Sequence, residues 1–108
     1  MDFNSVSSDF MEIVKLDPAI GPLHISLFMA ILHHCRKQTD YGAFVVQSRD
    51  LMLLAKISAP GTYYKCIHDL ERSGYISYIP SHDSLKGTRI SVNNIRRLTW
   101  TSVPNLPS

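Results

Sequence analysis

Five histidines and two cysteines are the residues of this 108-residue chain with the richest ligating chemistry. Zinc asks for four nitrogen or sulfur donors converging tetrahedrally. His33, His34 and Cys35 are consecutive on a helical pattern, so their side chains diverge and cannot meet at one ion. Cys66 and His68, two apart on another helical pattern, diverge in the same way. No C-x-x-C pair occurs, and both cysteines sit within apolar helical stretches, so they read as reduced, buried thiols of a cytosolic chain. Catalytic signatures are missing as well: there is no nucleophile elbow, no P-loop and no H-E-x-x-H. Acidic residues fall mainly at helix starts and in turns. The chain is expected not to be an enzyme, and neither a cofactor, a metal nor a small-molecule ligand is expected.

A different chemistry is offered by Thr62, Tyr64, Lys65 and His68. With Tyr63, Ile67 and Leu70 turned inward at helical spacing, these four project outward or to the flank of one helix. Thr62 and Tyr64 can donate to phosphates or base edges, and Lys65 brings charge. A helix with one buried stripe and an opposite stripe of small, polar or cationic residues fits the DNA major groove. An ordinary amphipathic helix with a solvated face would show the same stripe, so the neighbouring elements decide between the two.

Those elements can be traced in order. Asp9 is expected to cap a short helix with Phe10, Met11, Ile13 and Val14 on its apolar side, and Asp17-Pro18 and Gly21-Pro22 then punctuate the chain. Pro22 suits a first helical turn, from which Leu23, Leu27, Phe28, Ile31, Leu32 and Cys35 form a buried stripe, with His24 outside it. Asp40-Tyr41-Gly42 reads as a turn before the β-prone run Phe44-Val45-Val46. Ser48 is expected to cap a helix from Arg49 to about Ala55, with Leu51, Leu54 and Ala55 inward. After a tight connector, Ser58 is expected to cap the helix that carries Lys65, with Pro60 and Gly61 tolerated in its first turn and Gly74 stopping it. The period then becomes alternating. Tyr75–Ile79 and Thr88–Val92 read as two strands of a hairpin, Ile90 and Val92 sharing one face and Arg89 and Ser91 the other.

The stretch SRDLMLLAKISAPGTYYKCIHDLERSGYISYI, followed by GTRISV, resembles the winged helix-turn-helix superfamily of DNA-binding domains, and the likeness spans about residues 23–93. HDLERSGYI is similar to that family's end of recognition helix and start of wing. The fold implied is α+β: a three-helix core with a C-terminal β-hairpin wing and an additional short N-terminal helix. On this likeness the helix beginning near Ser58 reads DNA through Ser58, Thr62, Tyr64, Lys65 and His68. Lys86 in the hairpin turn and Arg89 on the adjacent strand add phosphate contacts. The long helix after Pro22 together with SRDLMLLAKIS also looks similar to small regulators and replication or excision accessory proteins of bacterial mobile elements.

Whole-chain properties agree with a binding protein. The net charge is only +2, but residues 1–55 carry −2 and residues 56–108 carry +4, a basic half suited to a polyanion. Hydrophobic residues make up 44% and charged residues 19%, a globular balance. No apolar run approaches the roughly 20 residues of a membrane span, and the N-terminus has no signal-peptide pattern, so a cytoplasmic location is expected. The expected divisions are an arm or short helix over 1–21, the winged domain over 22–93 and a tail over 94–108. The function expected is sequence-specific binding of double-stranded DNA, as a transcriptional regulator or DNA-processing accessory protein. The alternative is a winged-helix protein-interaction adaptor, which Tyr64, Tyr75 and Tyr78, read as exposed, would serve. Phe10, Met11, Ile13 and Val14, with Leu98, Trp100 and Val103, have no obvious place in a minimal core. They either fold back on their own chain or cover a partner, and half-site spacing on DNA favours a homodimer.

Overall fold

Apolar spacing and a few backbone punctuators account for most of the architecture. The computed structural model describes residues 3–36, 44–79 and 87–93. These form, in order, helix α1 (Phe3–Val14), helix α2 (Pro22–Arg36), strand β1 (Phe44–Val46), helix α3 (Ser48–Ala55), helix α4 (Pro60–Arg72), strand β2 (Ile76–Ile79) and strand β3 (Thr88–Val92). The class is therefore α+β, with four helices and a three-stranded antiparallel sheet among the described residues.

α2 is the central helix. Leu27, Phe28, Ala30, Ile31, Leu32 and Cys35 are all buried, so apolar surface covers most of its circumference, as in a helix packed on several sides. It touches α1, α3, α4 and β3. The serine hydroxyl of Ser26 donates to the Ala55 carbonyl at 2.6 Å, meeting one of the carbonyls left free at the end of α3. The expected stripe holds except at its start, where Leu23 is 45% exposed and His24 is the half-buried residue. The reason lies across the helix pair: His24 turns towards α4, where a carboxylate receives it.

The N-terminal helix is longer than expected and is not capped by Asp9, which falls in its middle. Val6, Phe10, Ile13 and Val14 are buried, whereas Met11 is 48% exposed. Phe10 stacks on Phe28 with centroids 3.9 Å apart, and both meet the edge of Tyr75 at 5.2 and 6.3 Å. α1 thus folds back onto its own chain, which covers Val6, Phe10, Ile13 and Val14 and leaves Met11 half-exposed. Leu98, Trp100 and Val103 lie outside the described residues.

Two helix starts differ from the serine caps expected. Gln47 holds the cap position of α3 in extended conformation, and Ser48 is already the first helical residue. At α4 the cap is Ala59, not Ser58, because Pro60 forces the residue before it out of the helical region. Leu54 is 45% exposed rather than inward, since α3 buries only Leu51 and Ala55. The stop at Gly74 is as expected: with φ 87°, it lets the Tyr75 N–H reach the Leu70 carbonyl and its own N–H reach that of Glu71, a Schellman motif.

In the sheet β3 is central, paired with β1 and with β2. One face, with Phe44, Val46, Ile76, Thr88, Ile90 and Val92 buried, closes the core. The other face sets Val45, Arg89 and Ile79 in one row across the three strands. Gly87, with φ 77°, lies so close to β1 that an added Cβ would come within 2.9 Å of the Val46 carbonyl oxygen. Tyr75 is 1% exposed, which corrects its reading as a surface aromatic: its hydroxyl donates to Asp17 Oδ2 at 2.7 Å. Asn93 ties the sheet's end to this corner through the Gly74 and Tyr75 carbonyls at 2.9 and 3.0 Å.

Candidate nucleic-acid interface

α4 buries Tyr63, Cys66, Ile67 and Leu70 against the core, and the opposite side of the same helix is left to solvent. Tyr64, Lys65 and His68 lie on that side and Thr62 sits half-buried at its flank, as the spacing predicts. Ser58 is exposed in the α3–α4 connector, next to the start of α4 but not capping it. Tyr64, Lys65 and His68 thus share the solvent side of α4. Arg89 is exposed on the outer face of β3, while its neighbour Ile90 faces inward. Lys86 lies outside the described residues.

The electrostatics of this face centre on Asp69, a residue the sequence reading did not single out. Its Oδ2 receives His24 Nε2 at 2.8 Å and Lys65 Nζ at 3.0 Å, and Arg72 stands 3.6 Å from Oδ1. His24 Nδ1 accepts the Gly21 N–H at 2.9 Å, so the ring proton sits on Nε2 and is donated to Asp69. The hydrogen bonds from His24 and then from Lys65 hold the Asp69 carboxyl below its ordinary range, against the opposing effect of burial. Lys65 therefore gives one ammonium N–H to Asp69, yet an ammonium has three donors and the side chain is 74% exposed. On the same helix His68 is 3.8 Å from Glu71, an exposed pair.

Beside α4, the half-buried Tyr78 of β2 meets the His68 ring edge-on at 5.9 Å, and Tyr64 is 43% exposed. Burial raises the Tyr78 phenol, and a hydrogen bond with Thr88 opposes that shift. Tyr63 lies beneath, fully buried, with a hydroxyl that has no hydrogen-bond partner among the described residues and a phenol pushed up by burial. Burial also raises the Cys66 thiol, so it stays protonated and unreactive near neutral pH.

The Lys65–Asp69 and Asp69–Arg72 contacts follow helical i,i+4 and i,i+3 spacing and were legible in that sense. The His24–Asp69 contact joins residues 45 apart and left no local signal. Among the described residues, no group of three histidine, cysteine or acidic side chains is placed to hold a metal ion, and no helix is long and apolar enough to cross a membrane. No protein-family model matches the chain, and neither curated proteins nor solved structures provide a match.

Proposed function

We propose that this chain is a winged helix-turn-helix protein that binds duplex DNA, with α3 and α4 as the helix-turn-helix and the β2–β3 hairpin as the wing. One observation carries the reading: after a tight turn, α4 buries one stripe and presents Tyr64, Lys65 and His68 on the other, beside an antiparallel hairpin. The B-DNA major groove, about 12 Å wide, admits such a helix. Ala59 supplies no side-chain cap and Pro60 has no N–H, so the donors left to favour a phosphate are the Gly61 and Thr62 N–H groups, with the helix dipole behind them. Lys65 keeps donors beyond the one given to Asp69, and Tyr64 and His68 can bond phosphates or base edges. The reading extends to a transcriptional regulator or DNA-processing accessory protein acting in the cytoplasm, by binding rather than catalysis. A homodimer on two half-sites would suit that role, although α1 supplies no apolar surface that demands one.

A protein-interaction adaptor is the second reading, favoured by Tyr64 exposed beside Tyr78 and by the Asp69 contacts that offset the charge of Lys65 and Arg72. Gel-shift titration with duplex DNA at several salt concentrations separates the two, because phosphate contacts release counterions and protein contacts do not. Lys65→Ala should weaken DNA binding and reduce the magnitude of the salt slope by about one. Unchanged affinity and slope in the folded variant would remove α4 from the DNA interface.

A further inference from the structure

A second surface lies on α3, and it does not depend on the DNA reading. Of the eight residues of this helix only Leu51 and Ala55 are buried. Leu53 is 72% exposed and Leu54 45%, so apolar side chains face solvent on the side turned from the core. Beside Leu53 runs an open groove of about 590 Å³, lined by Arg49, Met52, Leu53, Lys56, Ile57 and Ser58. Contiguous exposed apolar surface rimmed by polar groups is the mark of an interaction site.

The charge on the rim says what kind of partner fits. Arg49 and Lys56, seven residues apart, flank the apolar floor at a separation of about 10 Å along the helix. Neither has an ion pair among the described residues, whereas Lys15, Lys65 and Arg72 each meet a carboxylate. Among the described residues no acidic side chain lines the groove. Lys56 also occupies the left-handed conformation that ends α3, at φ 63°, where glycine is the usual residue. A lysine held there keeps a cation at the end of the groove, at a cost in backbone conformation. We propose that this face of α3 docks an acidic amphipathic segment of a protein partner, its apolar side chains on the exposed Leu53 and the half-buried Met52 and its carboxylates on Arg49 and Lys56. Helix-in-groove recognition works this way, with apolar anchors supplying affinity and flanking charges fixing register.

The test uses the full chain and a fluorescent peptide of about 14 residues, four helical turns, with leucines along one face and glutamates elsewhere. A matched peptide with lysines in place of glutamates is the control. Fluorescence anisotropy should give saturable binding of the glutamate peptide and none of the lysine peptide. Leu53→Asp should weaken it about tenfold, the scale of a lost interface anchor, and Arg49→Glu with Lys56→Glu should do the same. Lys65→Ala, on α4, should leave peptide binding unchanged. Leu53 is exposed, so its variant should fold, and circular dichroism checks this. The proposal is overturned if neither peptide binds or if both bind alike. It is overturned too if Arg49→Glu with Lys56→Glu abolishes duplex-DNA binding and leaves the peptide untouched, which assigns the cations to nucleic acid. A dimer by light scattering that Leu53→Asp dissolves would give the groove to a second copy of the chain.

Discussion

Two tyrosines, alike in burial and opposite in hydrogen bonding, offer a matched pair of perturbations. Tyr63 is 0% and Tyr75 1% exposed, and in each the change to phenylalanine removes a single oxygen. The Tyr75 hydroxyl donates to the Asp17 carboxylate at 2.7 Å, and hydrogen bonds to charged groups contribute about 1.5–3 kcal/mol. This bond is only partly buried, so Tyr75→Phe should cost about 1.5–2 kcal/mol, the lower part of that range. The Tyr63 hydroxyl has no partner among the described residues, and an unsatisfied buried hydroxyl costs about 1–3 kcal/mol. Removing it also leaves a small void, so Tyr63→Phe should lie between neutral and a gain of about 1 kcal/mol. The two variants should then differ by about 1.5–3 kcal/mol, which is about 6–12 °C in thermal midpoint for a chain of this size. Urea denaturation with an unchanged slope gives the comparison directly. A Tyr63→Phe cost above about 1 kcal/mol would mean that its hydroxyl is bonded in solution, and the packing between α4 and the sheet would have to be redrawn. Equal costs for both variants would show that the two hydroxyls are bonded alike.

Other outcomes follow from the same packing. Leu70→Ala should cost about 2–5 kcal/mol, because Leu70 is fully buried; a shift in denaturation midpoint worth less than about 1 kcal/mol would contradict the phase of α4. Asp69 has its carboxyl held below the ordinary range in the folded chain, so its stabilisation is complete above the unfolded value of about 3.9 and is lost as pH falls through the lower folded value. Asp69→Asn should therefore be less stable than the wild type near neutral pH and lose less stability in acid; urea midpoints that fall in parallel below about pH 4 would refute the assignment. Lys56→Gly should raise stability by up to about 1 kcal/mol, since a left-handed non-glycine costs about 1–2 kcal/mol and glycine's flexibility returns about 0.5–1 of it. A drop in thermal midpoint would show that the lysine side chain outweighs the backbone penalty.

The features legible in the residues alone are local. The buried faces of α4 and β3 follow from periods of 3.6 and 2, and Tyr63, Ile67, Leu70, Ile90 and Val92 lie inside as that spacing requires. Gly74 stops its helix because the left-handed conformation is cheap for glycine whatever surrounds it. The exposed set Tyr64, Lys65 and His68 was legible for the same reason, as the complement of a buried stripe. Tertiary structure decided the rest. Alternation divides a strand into two faces but does not say how a residue just outside it is used, so Tyr75 was placed only by Phe10, Phe28 and Asp17, which surround it from other elements. α1 reads the same whether it covers a partner or its own chain, until the Phe10–Phe28 stack settles the choice. Helix starts moved by a residue where the extended Gln47 and the proline-restricted Ala59 took the cap positions. Asp69 became the hub of its face only when folding brought His24 to it. Local periodicity is set by neighbours within about four residues, whereas a contact across 45 residues exists only once the core has closed.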